Sequence, residues 1–298
     1  MNVGQSHQDH EHIQRQYPVC IVGAGPTGLA AAHALEAKNY SVVVFDKQPE
    51  VGGKSQAYND GDQGSLFHAM GALLISNASY IDTLPIVEAA GVPFLPALSV
   101  TSGWIYPPVL ANTSVINVTR TPNPSPAQIN LIESEFSRYT DLRSKIFEPY
   151  GAMRYTNGIP GDLTIPIGQW LSQNGFQVLP IVINAGLSLA GYGDIEHTPT
   201  IYALQYLSPD ILAFFANLGP VNFVDFHAVM SHYASSIRGR IHTNTAVTKI
   251  DRSGPVPVLT YVSRNTESTR LQTQTQKCSH LILAFPPLLE ALRSSTLV

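Results

Sequence analysis

The segment Gly23-Ala24-Gly25-Pro26-Thr27-Gly28 constrains this chain more than any other. It follows a short apolar run, Val19–Val22, and opens an Ala-rich stretch, Leu29–Ala37, that reads as helix. A second apolar run begins at Ser41 and ends on Asp46, 18 residues after Gly28. Strand, glycine turn, helix and strand in that order make a parallel βαβ unit. An acid at that offset marks a dinucleotide-binding fingerprint, whereas the six-residue glycine motif alone is also met in helix-packing turns. Gly23 serves the tight turn, Gly25 lets a pyrophosphate approach the backbone, and Gly28 lets helix and sheet pack closely. Pro26 and Thr27 open the helix, whose free N–H groups and partial positive charge favour phosphate. Asp46 is placed to accept from ribose hydroxyls, and its charge disfavours a 2′-phosphate, so NADP is not expected.

The rest of the sequence narrows the class of protein. Of 298 residues, 44% are hydrophobic and 13% charged, which favours a packed interior over disorder. The net charge of −4 comes without a Lys/Arg stripe, so no nucleic-acid partner is expected. Cys20 and Cys278 lack metal-type or redox-type spacing; no disulfide framework is expected, and a reducing, cytoplasmic location fits. The first 16 residues lack the apolar core of a signal peptide and read as a disordered tail, with His7, His10 and His12 solvated rather than metal-bound. Residues 178–190 are the longest apolar stretch and fall short of a transmembrane span. Sequons at Asn77, Asn112 and Asn117 are read as chance matches to a short motif.

Beyond Asp46 the chain changes character twice. Residues 49–64 read as loop, Ser79–Ala90 as helix, and Thr121–Pro126 as a stiff connector. Apolar residues from Ile129 to Ile146 recur every three or four positions, predicting a helix over Gln128–Phe147; several short helices follow over 163–218. From Arg238 the pattern becomes β-rich, with strands expected at Ile241–Ile250, Val256–Ser263, Thr269–Thr275 and Leu281–Phe285. The expected architecture is α/β. A Rossmann-like nucleotide-binding domain, with a parallel sheet and a β-meander, takes residues 17–75 and 221–298. A mainly helical substrate domain, 76–220, is inserted.

The segment after Asp46 separates FAD from NAD. Lys47-Gln-Pro-Glu-Val51 is followed by Gly52-Gly53-Lys54, the pair starting six residues after the acid. This resembles the second glycine signature of the FAD-dependent amine oxidase superfamily. There the glycines admit the cofactor's pyrophosphate and ribityl chain, and a basic residue adds positive charge. Phe67-His68-Ala69-Met70-Gly71-Ala72 is similar to the family segment that lines the flavin ring. Thr245–Ile250 is similar to the strand whose valine, here Val247, contacts the adenine side. His280–Pro287 resembles the family's strand ending in Ala-X-Pro-Pro. The middle, in Asp162–Gly168, Gly191-Tyr192-Gly193 and Pro199–Tyr206, is similar to flavin-dependent fatty acid isomerases and β-cyclopiazonate dehydrogenases.

The resemblance implies FAD as cofactor and hydride transfer to flavin from a small hydrophobic substrate, such as an amine, indole or fatty-acid-like metabolite of secondary metabolism. Double-bond isomerisation and a degenerate binding protein without redox activity are the alternatives, and an NAD enzyme is disfavoured by Gly52-Gly53-Lys54. Relatives run on beyond the equivalent of Val298 with a segment that closes over the flavin, so weaker FAD retention is expected. No catalytic acid or base stands out. His68, Tyr192 and Tyr202 are the candidates, with Tyr206, Trp104 and Tyr106 as further cavity residues; aromatic side chains also dominate cores. His227 and His232 do not share a helix face well enough for a metal.

Overall fold

A computed structural model describes residues 16–60, 67–97, 104–105, 119–120, 125–149, 155–263 and 272–285. The tail histidines, Tyr106, Asn112, Asn117, most of the 121–126 connector and Pro286-Pro287 lie outside the described residues, and Trp104 is described by its backbone alone. The chain divides into two compact units. The first takes Met1–Leu73, Asp82–Pro93 and Val224–Val298; the second takes Leu74–Ile81 and Phe94–Phe223. Residues 82–93, expected in the inserted domain, therefore fold with the nucleotide-binding ends.

In the first unit, β1 (Val19–Val22), α1 (Pro26–Ala37) and β2 (Val42–Phe45) form the βαβ core. Two short strands, β3 (Ala57–Asn59) and β4 (Phe67–Ala69), pair antiparallel, and α2 (Leu84–Ala90) and α3 (Phe226–Ser235) follow. The β-rich end supplies β5 (Arg240–His242), β6 (Thr245–Asp251), β7 (Val258–Ser263), β8 (Gln272–Lys277) and β9 (His280–Leu283). The parallel sheet runs β5-β2-β1-β9, with Val19 opposite both Val42 and His280. β1 and β2 are almost wholly buried, which accounts for their unbroken apolar runs. β6, β7 and β8 form the antiparallel meander.

Two expected elements are shorter than the apolar pattern suggested. The helix predicted from Ser79 begins at Leu84, because Pro85 can stand only in a first turn, and the Ser79 N–H and hydroxyl bond instead to the Asp210 carboxylate. The strand predicted over 241–250 breaks at Asn244, whose φ of 51° turns the chain out of the parallel sheet and into the meander. Glu36 is buried at the end of α1 and accepts from the N–H groups of Arg238 and Gly239 at 2.9 and 2.6 Å, which fixes the entry to β5.

The cysteines overturn the expectation of free thiols. Cys20 and Cys278 are both fully buried and joined by a disulfide, with Cα atoms 5.6 Å apart. They share a cluster with Phe45, Ile250, Leu259 and Tyr261, where β1 and β2 meet the meander. Spacing along the chain does not reveal the pair, because residues 258 apart in sequence become neighbours only once β9 pairs with β1. A buried disulfide does not fit the reducing, cytoplasmic location expected from free thiols.

The second unit is mainly helical. Pro126–Ile146 is its longest helix and starts with a capping box between Ser125 and Gln128. Shorter helices at Ile167–Gln173, Leu179–Leu189, Thr200–Tyr206 and Pro209–Phe215 pack around Leu171, Ile183, Leu204 and Tyr139. Inside the core, the Tyr139 hydroxyl donates to Leu207 O at 2.8 Å, and burial raises its pKa. Glu135 is 3% exposed and its carboxylate accepts from the N–H groups of Gln177, Val178 and Leu179 at 2.6, 3.0 and 2.9 Å. It thus closes the amino end of Leu179–Leu189 from outside that helix. Glu135→Ala leaves three donors without an acceptor and is expected to cost about 3 kcal/mol in urea unfolding, with Glu135→Gln costing less.

Candidate dinucleotide site

Two glycine loops meet at the carboxyl ends of β1 and β2. Gly25 is the N-cap of α1 at φ −76°, and it brings no side chain to close the helix end; Pro26 sits in the first turn, which carries no acidic residue. The end of α1 is therefore open to an anion. By contrast, Asp225 closes α3 by accepting from the N–H groups of His227 and Ala228 at 3.0 and 3.1 Å.

The second loop is stitched to the first. Gly52 N–H donates to Ala24 O at 2.9 Å, and Ser55 N–H donates back to Gly52 O at 2.9 Å. Gly53, at φ 55°, lies so close to the first loop that a Cβ on it would stand 3.1 Å from Gly25 Cα. A Cβ on Gly25 would meet only Gly53 Cα, at 3.8 Å. The two bare backbones thus form a cradle that any side chain at Gly25 would fill. Behind it the packing is tighter: a Cβ on Gly28 would stand 1.9 Å from Gly23 O. Gly71 presses against Lys54 in the same way, its Cβ position 1.7 Å from Lys54 O, and Ala72 N–H donates to that oxygen. Met70 N–H bonds to Gln56 O, so the 67–72 segment lies along the second loop with the Met70 side chain exposed.

Asp46 does more than the sequence suggested. Its two oxygens accept from the N–H groups of Ala24 at 2.6 Å and Gln48 at 2.8 Å, so it locks the first loop. Each oxygen retains a further lone pair for a ribose hydroxyl. Asp46 N–H in turn donates to His242 O at 2.8 Å. His242, which the sequence did not single out, stacks on Phe45 with ring centroids 5.1 Å apart. Burial, reinforced by Arg240, holds its pKa below the usual histidine value, so it is neutral near pH 7.

The structure therefore brings Gly23, Gly25, Gly28, Asp46, Gly52 and Gly53 together, with Gly71 and Ala72 joined through Lys54. Pro26, Thr27, Lys47 and Lys54 are exposed at the loops. Val247 packs on the cluster that holds the disulfide. His68 is exposed on β4, its ring 6.2 Å from that of Tyr58.

The aromatic candidates belong to the second unit. Tyr192 stacks on Tyr206 at 4.9 Å, and Tyr202 is 54% exposed. Burial, then Tyr80 and Tyr192, push the Tyr206 hydroxyl up to about 12. Asp210 accepts from the hydroxyls of Ser76, Ser79 and Ser208 and from Ser79 N–H, which fills its acceptor capacity. It is a structural tie rather than a base. Among the described residues, no three His, Cys, Asp or Glu side chains are grouped to hold a metal, and no helix is long and apolar enough to cross a membrane.

Residues 21–83 match the family model of the NAD(P)-binding Rossmann-like domain. Residues 21–83 thus take a Rossmann-like fold. Over 261 residues it is 24% identical to the polyenoic fatty acid isomerase of Ptilota filicina, covering 79% of this chain and 50% of that protein. It is 24% identical over 289 residues to an FAD-dependent oxidoreductase of Apiospora sacchari, covering 94% and 58% respectively. Among solved structures, the CLA-producing fatty acid isomerase from P. acnes shares the fold at a TM-score of 0.69 and 22% identity, over 95% of this chain and 62% of its own. Putrescine oxidase shares it at a TM-score of 0.62 and 18% identity, over 92% and 59%. A fatty acid isomerase is thus similar in sequence and another in fold, whereas putrescine oxidase is similar in fold. This chain spans between half and about three-fifths of those relatives' lengths.

Proposed function

We propose that the Rossmann-like unit binds FAD and that the chain serves a flavin-dependent oxidoreduction of a small hydrophobic metabolite. The observation that carries this reading is the approach of Gly53 to Gly25, which leaves two bare backbones facing one another at the open end of α1. A βαβ glycine turn alone suits NAD or FAD. The second loop adds a further stretch of backbone along the pyrophosphate, and Lys54 adds positive charge at the rim. Kinship with an FAD-dependent oxidoreductase supports the same choice. When bound, the flavin supplies a hydride acceptor.

This chain's own residues orient and exclude. Asp46 holds the first loop through Ala24 N–H and offers its remaining lone pairs to ribose. The Lys54–Gly71 contact holds the 67–72 segment beside the loop. Tyr192, Tyr202 and Tyr206 give the second unit aromatic surface suited to an apolar substrate such as an amine, indole or fatty acid. The two similar isomerases favour a second reading, in which the hydride returns to another carbon of the same substrate and the net change is a shifted double bond.

Reconstitution tests the proposal. Purified protein mixed with FAD or NAD should retain FAD and give a perturbed flavin spectrum. Anaerobic addition of candidate amines, indoles or polyunsaturated fatty acids should bleach it. Lasting bleaching marks a dehydrogenase or oxidase, whereas conversion of a fatty acid without net flavin reduction marks an isomerase. Preference for NAD, or no binding of either, would overturn the reading.

A further inference from the structure

The Gly52–Gly53 turn needs a restraint that glycine cannot provide for itself. Its φ values are 102° and 55°, and it carries no side chain to anchor it. On one side, Gly52 N–H is held by Ala24 O. On the other, α3 packs against it: a Cβ on Gly52 would stand 3.5 Å from Met230 Cβ and 3.8 Å from His227 Nδ1. The same imidazole reaches back to the loop, with Nε2 3.3 Å from Oε2 of Glu50, two residues before Gly52. The His227 side chain is only 17% exposed, and its Nδ1 is buried without a hydrogen-bond partner. With its proton on Nε2, toward the Glu50 carboxylate, the imidazole leaves Nδ1 as the bare acceptor that faces the turn. Asp225 fixes the end of α3 on which the ring is mounted.

We propose that His227, held by Glu50, is a positioning residue that brackets the Gly52–Gly53 turn and so sets the cradle for the cofactor's pyrophosphate. The bracket rests on reading the cradle as the FAD site. Glu50 is 64% exposed, and a pair of that kind adds little to global stability. Its effect belongs to the local order of the loop, a property measurable in the cofactor-free protein.

The test uses the full chain with and without FAD. In cofactor-free protein, His227→Ala is expected to speed hydrogen exchange at the Gly52 amide about tenfold, with the global unfolding midpoint little changed. FAD affinity, read by flavin fluorescence, is expected to fall about tenfold. His227→Gln, whose side-chain amide can still donate to Glu50, should restore both. Glu50→Ala should weaken FAD about threefold, and the double alanine variant should be no worse than His227→Ala alone. Unchanged Gly52 exchange in His227→Ala, additive losses in the double variant, or failure of glutamine to rescue would overturn the bracket. Faster exchange with unchanged FAD affinity would overturn the positioning role. If the wild-type protein binds no FAD while Gly52 exchange responds as expected, the cofactor reading fails and the bracket stands.

Discussion

Gly25→Ala is expected to weaken dinucleotide binding by a hundredfold or more, about 3 kcal/mol, in a protein that still folds. Gly28→Ala, three residues on, is expected not to fold at all. The contrast follows from what each new methyl group meets. At Gly25 the backbone angle of −76° suits any L-residue, and the nearest atom to an added Cβ is Gly53 Cα at an ordinary 3.8 Å. The cost to the empty protein is that of a poorer N-cap, about 1 kcal/mol or less. The methyl nevertheless stands at the open amino end of α1, where a pyrophosphate must come close to the bare backbone to reach the N–H groups. At Gly28 the added carbon would stand 1.9 Å from the Gly23 carbonyl oxygen and 3.3 Å from Ala284 Cβ. Neither neighbour is a flexible side-chain end, so the β1–α1 turn itself must open, at a cost above about 4 kcal/mol. Thermal unfolding and FAD titration of both variants separate the two effects. A Gly25→Ala protein that binds FAD with wild-type affinity would place the ligand elsewhere.

The parts of this site that were legible in the sequence are those encoded by local pattern. The glycine turn, its flanking strands and Asp46 are contiguous, and strand burial on both faces produces their apolar runs. Gly52 and Gly53 were legible only through family resemblance, since nothing in a Gly-Gly-Lys triplet states that it will lie against Gly25. Contacts between distant segments left no local trace. His227 read as one of two badly spaced histidines, and its relation to Gly52 exists only because α3 packs on that loop. His242 read as an ordinary strand residue, although its carbonyl holds Asp46 N–H. Asp210 shows the converse case. It lies 131 residues from Ser79, yet its bonds to the Ser79 N–H and hydroxyl hold that residue in a turn outside the helix that the local pattern suggested. The Cys20–Cys278 pair was missed for the same reason, because pairing of β1 with β9 is a property of topology rather than spacing.

That pair yields the other large expected effect. Cys20→Ala/Cys278→Ala is expected to lower stability by about 2–5 kcal/mol, with the span of 258 residues favouring the upper part of that range. The chain contains only these two cysteines, so thiol titration of the unfolded, unreduced protein should find none, and reduction should expose two. Two thiols before reduction would contradict the cross-link. The expected loss reaches the cofactor cradle as well as the fold. β1 runs from Cys20 directly to Gly23, and β9 runs from just after Cys278 to Ala284, whose carbonyl oxygen stands 2.6 Å from where a Gly23 Cβ would be. The disulfide therefore ties the two strands whose far ends press together beneath the glycine turn. Both sulfurs are buried in the cluster between sheet and meander, so reduction requires that cluster to open first. The reduced native protein should consequently form slowly, in proportion to the small population in which the cluster is open. Once formed, it should release FAD faster than the oxidised form, because the strand pair supporting Gly23 has lost its covalent tie.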